Sequence, residues 1–213
     1  MTGARYIAIE GPIGVGKTSL AEMLSKALDG RVICEQVDEN PFLGDFYENR
    51  KKYSFQTQLF FLLSRYRQQE ELSQIDLFSR TLISDYIFAK DRIFAYINLD
   101  ENEIELYEQV YQLLDARLPK PDLVIFLQAT ADVLKERVQI RNREYEKNIE
   151  YEYLETLRQA YNEFFFHYDE APLLVINSTD IDFVNNRKDF ELLIKEIKEM
   201  KGGVKHFVPL GSR

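Results

Sequence analysis

Gly11-Pro12-Ile13-Gly14-Val15-Gly16-Lys17-Thr18 is the stretch whose reading decides the fold. It spells G-x-x-x-x-G-K-[ST] without a gap. An apolar run, Tyr6–Glu10, precedes it, and a helical pattern carrying Leu20, Met23, Leu24 and Ala27 opens at Lys17. Strand, glycine-rich turn and helix start in that order make a phosphate cradle. The glycines let backbone N–H groups turn inward, and the helix N-terminus adds its positive end. Residues Gly11 to Gly16 are therefore expected to wrap a triphosphate, with Lys17 on its β- and γ-phosphates and Thr18 on Mg2+. The stretch alone does not separate a phosphate-transferring enzyme from a switch or a motor.

Outward from this loop the chain alternates between two periodicities. Five apolar runs read as buried strands: Tyr6–Glu10, Arg31–Cys34, Leu82–Asp85, Leu123–Gln128 and Leu173–Asn177. Several are continuous rather than alternating, as in parallel strands covered on both faces. Helical spacing predicts helices over Lys17–Leu28, Ser54–Ile75, Glu103–Leu118, Ala131–Arg141, Tyr153–Tyr168 and Asp189–Met200. The second carries an apolar stripe through Phe55, Leu59, Leu62, Leu63, Tyr66 and Leu72, and the third one through Leu106, Val110, Leu113 and Leu114. Strand–helix alternation predicts an α/β fold with a parallel five-stranded sheet flanked by helices. Pro119-Lys120-Pro121-Asp122 stops one helix and feeds the next strand. Gly202-Gly203 ends the last helix and leaves a tail, about 201–213, to which the sequence assigns no role. No repeat is visible, and residues 1–213 read as one domain.

Composition sets bounds. The chain has 213 residues, 36 acidic and 27 basic, for a formal net charge of −9. That balance argues against a protein that coats a nucleic-acid polymer, whose affinity comes from Lys and Arg on phosphates. One Cys excludes an internal disulfide and a multi-thiolate zinc site, and two His leave little for a His-rich metal centre. Met1–Arg5 lacks a signal's apolar stretch, and no apolar run is long enough to cross a bilayer. The expectation is a cytoplasmic protein with small-molecule partners and no membrane.

Several side chains could handle a phosphate. Glu35 lies just past the second strand, at the strand ends where open α/β sheets bind ligands. A carboxylate there can take a proton from a substrate hydroxyl, although by itself a strand-end Glu is more often simply solvated. Asp85 ends the third strand, which suits either the Mg2+ shell or a loop-capping role. Arg137, Arg141 and Arg143 form the one dense basic cluster. Guanidinium groups on a lid can close over a triphosphate and stabilise charge during transfer. The plainer alternative is a solvated helix face paired with Glu136, Glu144 and Glu146. Cys34 is expected to be buried strand packing.

Two phrases, Glu10-Gly11-Pro12-Ile13-Gly14 and Asp85-Tyr86-Ile87-Phe88, carry a resemblance. From about Tyr6 to about Ile194 the chain resembles the deoxynucleoside kinases, the group containing deoxycytidine, deoxyguanosine and deoxyadenosine kinases. It is similar in particular to the bacterial purine enzymes of the deoxyguanosine-kinase-like branch. The resemblance implies a P-loop NTPase fold, an arginine-rich lid at about 137–149, and a homodimer packed through long helices such as Ser54–Ile75. It also implies roles. Glu35 would take the proton from the 5′-hydroxyl, although Gln36 stands where the family has Pro. Tyr47 would bind the sugar 3′-hydroxyl. Gln58 and Arg65, two helical turns apart, would read the base edge, with Asp91 working beside that Arg. Arg137, Arg141 and Arg143 would form the lid, Arg141 reaching ATP, and Glu146 would contact the sugar. Asn142 replaces the usual lid Gly. Asp182-Phe183 would lie beside the ATP base. Asp85 keeps the acid of the family's Glu-Arg-Ser segment as a substrate and Mg2+ contact. Tyr86 replaces its Arg, so that duty passes to a lid Arg or neutralisation is weaker.

The expected reaction is transfer of the γ-phosphoryl of ATP to the 5′-hydroxyl of a deoxynucleoside, a purine one, in nucleotide salvage. One alternative is a nucleoside monophosphate kinase such as a thymidylate kinase. It needs basic groups at the acceptor phosphate, where only Arg65 and Arg50 to Lys52 can be placed. The other is a non-catalytic P-loop nucleotide switch; an Asn-Lys-x-Asp base reader is absent from the sequence.

Overall fold

The computed structural model describes residues 6–73, 81–147, 149–179 and 181–208. Its strands are β1 (Tyr6–Glu10), β2 (Arg31–Ile33), β3 (Leu82–Ser84), β4 (Leu123–Gln128), β5 (Leu173–Asn177) and β6 (Val204–Phe207). They form one sheet in the order β2-β3-β1-β4-β5-β6, with every pairing parallel. Eight α-helices surround it among the described residues. They are α1 (Lys17–Ala27), α2 (Leu43–Glu48), α3 (Arg50–Ser73), α4 (Lys90–Asn98), α5 (Glu101–Asp115), α6 (Ala131–Arg141), α7 (Tyr151–Phe166) and α8 (Arg187–Glu199).

The middle of the sheet follows directly from its composition. Ile7, Ala8 and Ile9 are wholly buried, and β1 lies between β3 (Ile7 beside Ile83) and β4 (Ile9 beside Ile125). Strand order therefore reverses at β1, and a crevice opens at its carboxyl end, where this class of sheet takes its ligands. Phe126 of β4 stacks on Phe165 of α7 with ring centroids 4.2 Å apart, fastening that helix to the sheet.

Three sequence expectations need correction. The sheet has six strands rather than five, because part of the 201–213 tail is a strand. Gly202 and Gly203 turn the chain, and Val204 to Phe207 then pair with Leu173 to Ile176. Lys205 anchors this edge strand through an ion pair with Glu196 of α8 at 2.6 Å. Four half-exposed residues are too few to show a period.

Only half of the apolar stripe of α5 faces inward: Val110 and Leu114 pack against the helix's inner cluster, and the other two do not. Leu106 and Leu113 are 50% and 69% exposed, while Tyr107 and Tyr111 pack with Leu62 of α3 and Phe88 in a second apolar cluster. On α3, likewise, the buried side chains include Ser54, Thr57, Gln58, Arg65 and Gln69, and Leu63 is exposed. The long helix thus turns a polar face inward. Its predicted end at Ile75 and the side chain of Leu72 lie outside the described residues. Among the described residues, no helix is long and apolar enough to cross a membrane.

Candidate active site

The phosphate loop leaves β1 and enters α1 as the spacing predicts. Gly11 and Gly14 have φ of 150° and 83°. A Cβ at Gly11 would stand 2.4 Å from the Leu127 carbonyl oxygen, and one at Gly14 2.7 Å from that of Leu134. Only glycine fits so close to the backbones of β4 and α6. No side chain caps α1 at Gly16, so its first N–H groups stay available to an anion. Val15 is buried beneath the turn, while Pro12 accepts a bond from Lys17 and Ile13 faces the crevice. Lys17 Nζ donates to the Gly11 and Pro12 carbonyls at 2.8 and 3.1 Å. Burial, with Lys90 nearby, pulls its ammonium down to about 8. Phe183, buried, lays its ring against Gly16. Asp182 accepts bonds from the Val184 and Asn185 amides, which fixes the turn that carries Phe183.

Asp85, one residue past β3, joins the loop to the second half of the site. Thr18 Oγ1 donates to Asp85 Oδ2 at 2.5 Å, and the Glu35 amide donates to Asp85 Oδ1 at 2.8 Å. Among the described residues no group of three or more His, Cys, Asp or Glu could hold a metal. One hydroxyl and one carboxylate do suit Mg2+, which keeps several waters and takes phosphate oxygens for the rest of its shell.

Glu35 is the centre of a buried charge network. Its Oε1 accepts from Arg65 Nε at 2.8 Å and from Arg65 Nη2, and its Oε2 accepts from Lys90 Nζ at 2.6 Å. Arg65 Nη1 donates in turn to Asp91 Oδ1. Burial alone would raise the Glu35 carboxyl, but Arg65 and Lys90 overcome it and hold the group well below the usual carboxylate range. Burial opposes the Arg65 charge too, and Asp91 and Glu35 more than restore it. Asp91 has the opposite balance: burial outweighs Arg65 and pushes its carboxyl up to about 6.

A cavity of about 1010 Å³ runs from the phosphate loop to this network. Glu35, Tyr47, Gln58 and Arg65 line its inner end, and Asp182 and Phe183 its outer end. Asp91 is fully buried and stands behind Arg65, off the cavity wall. Gln58 Oε1 and Asp91 Oδ2 are buried without a hydrogen-bond partner, so polar capacity remains at this end. Tyr47 stacks on Tyr145 with centroids 6.1 Å apart, and burial raises its phenol well above the ordinary value.

The arginine cluster borders the same cavity, with each member engaged. Arg137 donates to the Val15 carbonyl at 3.2 Å and to the Ser178 carbonyl at 2.9 Å, so it braces the phosphate loop against the end of β5. Arg141 meets the buried Glu146 at 3.0 and 2.5 Å. Arg143 donates to Tyr145, whose hydroxyl donates to Asp38. Asn142 caps α6 in the left-handed conformation, φ 51°. Asn tolerates that region better than other side chains, which explains how it stands in place of Gly. Cys34 corrects an expectation: it lies past β2, half-buried at the cavity edge, with its thiol raised to about 11 by burial.

Sequence reasoning missed Lys90, Phe61, Phe94 and Tyr153, all on the cavity wall. Lys90 opens α4, and its burial beside Asp91 breaks the apolar pattern that would have shown that helix. Arg50 and Lys52, the candidates for holding an acceptor phosphate, are otherwise placed. Arg50 pairs with Glu150 and lies over the Tyr153 ring, and Lys52 is exposed.

Known proteins resemble this chain over most of its length. The family profile described as deoxynucleoside kinase matches residues 7–201. A deoxyguanosine kinase of Bacillus subtilis is 41% identical over 205 residues, covering 94% of this chain and 99% of the relative. A deoxyadenosine kinase of Dictyostelium discoideum is 35% identical, covering 92% of this chain and 80% of its own. A deoxyadenosine kinase from M. mycoides, solved with bound dATP, superimposes with a TM-score of 0.78 at 27% identity, over 91% of this chain and 98% of that one. The match takes in both the phosphate loop and Arg137, Arg141 and Arg143, and with it the chain belongs to the deoxynucleoside kinase family, phosphotransferases that act on a hydroxyl group.

Proposed function

We propose that this chain transfers the γ-phosphoryl of ATP to the 5′-hydroxyl of a purine deoxynucleoside, deoxyguanosine or deoxyadenosine, in nucleotide salvage. The observation that carries this reading is the single cavity that joins the phosphate loop to Glu35 and Arg65. A donor phosphate on the loop and a nucleoside against α3 would meet at Glu35. The names of the relatives, deoxyguanosine and deoxyadenosine kinases, support a purine.

Gly11 to Gly16 and Lys17 bind the donor phosphates, and Asp182 and Phe183 flank its base. Glu35, ionised, accepts the proton of the 5′-hydroxyl and aims that oxygen at the γ-phosphorus. The transition state of such transfers is loose, so orientation contributes more than base strength. Thr18 and Asp85 would hold Mg2+, which would supply positive charge to offset that of the phosphates. Gln58 and Arg65, the latter backed by Asp91, take the base edge; Tyr47 and Glu146 take the sugar. Arg137 keeps the loop in shape, while Arg141 and Arg143, on the 137–149 lid, exclude water and stabilise charge on the moving phosphoryl.

The chain works as one kinase domain in the cytoplasm. It forms a homodimer through α3 and α5, where exposed Leu63, Leu106 and Leu113 offer an apolar face.

Steady-state turnover with ATP and Mg2+ on deoxyguanosine, deoxyadenosine, deoxycytidine and thymidine tests the reading. The purine substrates should have the highest kcat/KM. A pyrimidine used as well as either purine removes the purine assignment.

A further inference from the structure

We propose that Lys90 is a positioning residue for phosphoryl transfer: its ammonium clamps the second oxygen of Glu35 and supplies the cation that the Asp85-Tyr86 sequence does not. The proposal rests on Glu35 receiving the hydroxyl proton.

Lys90 sits where stability alone would not put a lysine. It is only 4% exposed, and burying an ammonium is costly. It is the first residue of α4, where the helix dipole disfavours a cation. Lys17, a second buried cation, lies near enough to feel its charge. Against these costs stands one close ion pair, with Glu35 at 2.6 Å, and the more distant field of Glu10. An apolar side chain of similar length would pack beside the Phe94 ring without them.

The geometry shows what the ion pair accomplishes. Arg65 binds Oε1 of Glu35 from α3, and Lys90 binds Oε2 from α4. Because both Arg65 bonds fall on Oε1, the second cation on Oε2 is what fixes the carboxylate plane. Arg65 is itself shared with Asp91, whereas no bond of Lys90 to another carboxylate is seen among the described residues. Tyr86, next after Asp85, cannot help: it is fully buried, and its hydroxyl donates to Gln68 at 3.0 Å. Lys90 lines the same cavity as Lys17 and Glu35, so the clamp faces the substrates.

A double-mutant cycle on the full-length protein tests this, with deoxyguanosine and deoxyadenosine as acceptors. Lys90→Met should lower kcat by about 10- to 100-fold while moving the KM of either substrate less than about threefold. Lys90→Arg should recover most of the loss. In a Glu35→Gln background, Lys90→Met should change kcat less than about threefold, because the carboxylate that the clamp orients is then gone. Losses that multiply in that background overturn the proposal, as does a raised ATP KM with kcat intact or an Arg variant no better than Met. Thermal unfolding checks each variant, and Lys90→Gln, which keeps a donor, replaces Lys90→Met in the cycle if the latter does not fold. A wild type without deoxynucleoside-dependent turnover defeats the reading on which the proposal rests. An active wild type whose Lys90 variants lose nothing defeats the proposal alone.

Discussion

The two ends of the cavity are made of different material. The donor end is backbone: eight consecutive residues, Gly11 to Thr18, shaped by glycines that nearly touch Leu127 and Leu134. The acceptor end is side chains: Glu35, Arg65, Lys90 and Asp91, carried by a loop and two helices and joined by ion pairs. Each strategy suits its ligand. A triphosphate is the same in every donor and is met by fixed N–H dipoles. A nucleoside brings a neutral hydroxyl and a patterned base edge, and those need charges and donors at chosen points. The acceptor end is therefore the costlier one to fold, and the one where a single substitution leaves a buried charge alone.

That contrast can be broken by experiment, and the largest effect should fall at Arg65. Arg65→Met leaves Asp91 buried without its cation and Glu35 with Lys90 alone, and denaturant unfolding should show a loss of about 3–5 kcal/mol. A loss under about 1 kcal/mol would mean the network is not carrying charge in the fold. Next comes Glu35→Gln, for which kcat should drop at least ~100-fold, the scale of a lost general base, while ATP binding by calorimetry stays within about threefold. The donor end responds through strain instead. Gly11→Ala meets the Leu127 carbonyl and should cost about 1–3 kcal/mol of stability, with weaker ATP binding. Unchanged stability would show that the loop can relax.

The smallest effect concerns pH. Asp91 is pushed up to about 6, so as pH falls through that value it takes a proton and loosens its hold on Arg65. The deoxynucleoside KM should then rise severalfold between pH 7 and 5, and Asp91→Asn should remove that rise while altering base preference. An identical KM profile in the variant would take Asp91 out of base reading.

The same contrast explains how much the sequence disclosed. A backbone site is written in contiguous letters, so the phosphate loop, its strand and its helix read correctly from one eight-residue phrase. The five expected strands are all present, and β1, β4 and β5 read best because they are nearly continuous buried apolar runs, whereas β2 is a partly exposed edge strand. At the acceptor end, Glu35 and Arg65 are thirty residues apart and Glu35 and Lys90 fifty-five. No period links residues that far apart, and a buried lysine on a short helix looks like a solvated one. Gln58 and Arg65 were legible only through the family likeness; by pattern they belong to a polar, outward helix face, and the structure turns that face inward. Two leucines of α5 misled in the reverse sense. Their spacing predicts core, yet Tyr107 and Tyr111 fill it and Leu106 and Leu113 are left outside.

The central claim is that the acceptor is a hydroxyl and not a phosphate, since Arg50 is engaged by Glu150 and the cations at the inner end are spent on Glu35. A single-turnover assay with γ-labelled ATP, offering deoxyguanosine and deoxyguanosine monophosphate side by side, tests it directly. The account predicts label at the 5′ position of the nucleoside and none added to the monophosphate. Label passing only to the monophosphate, or no transfer to either, would contradict it.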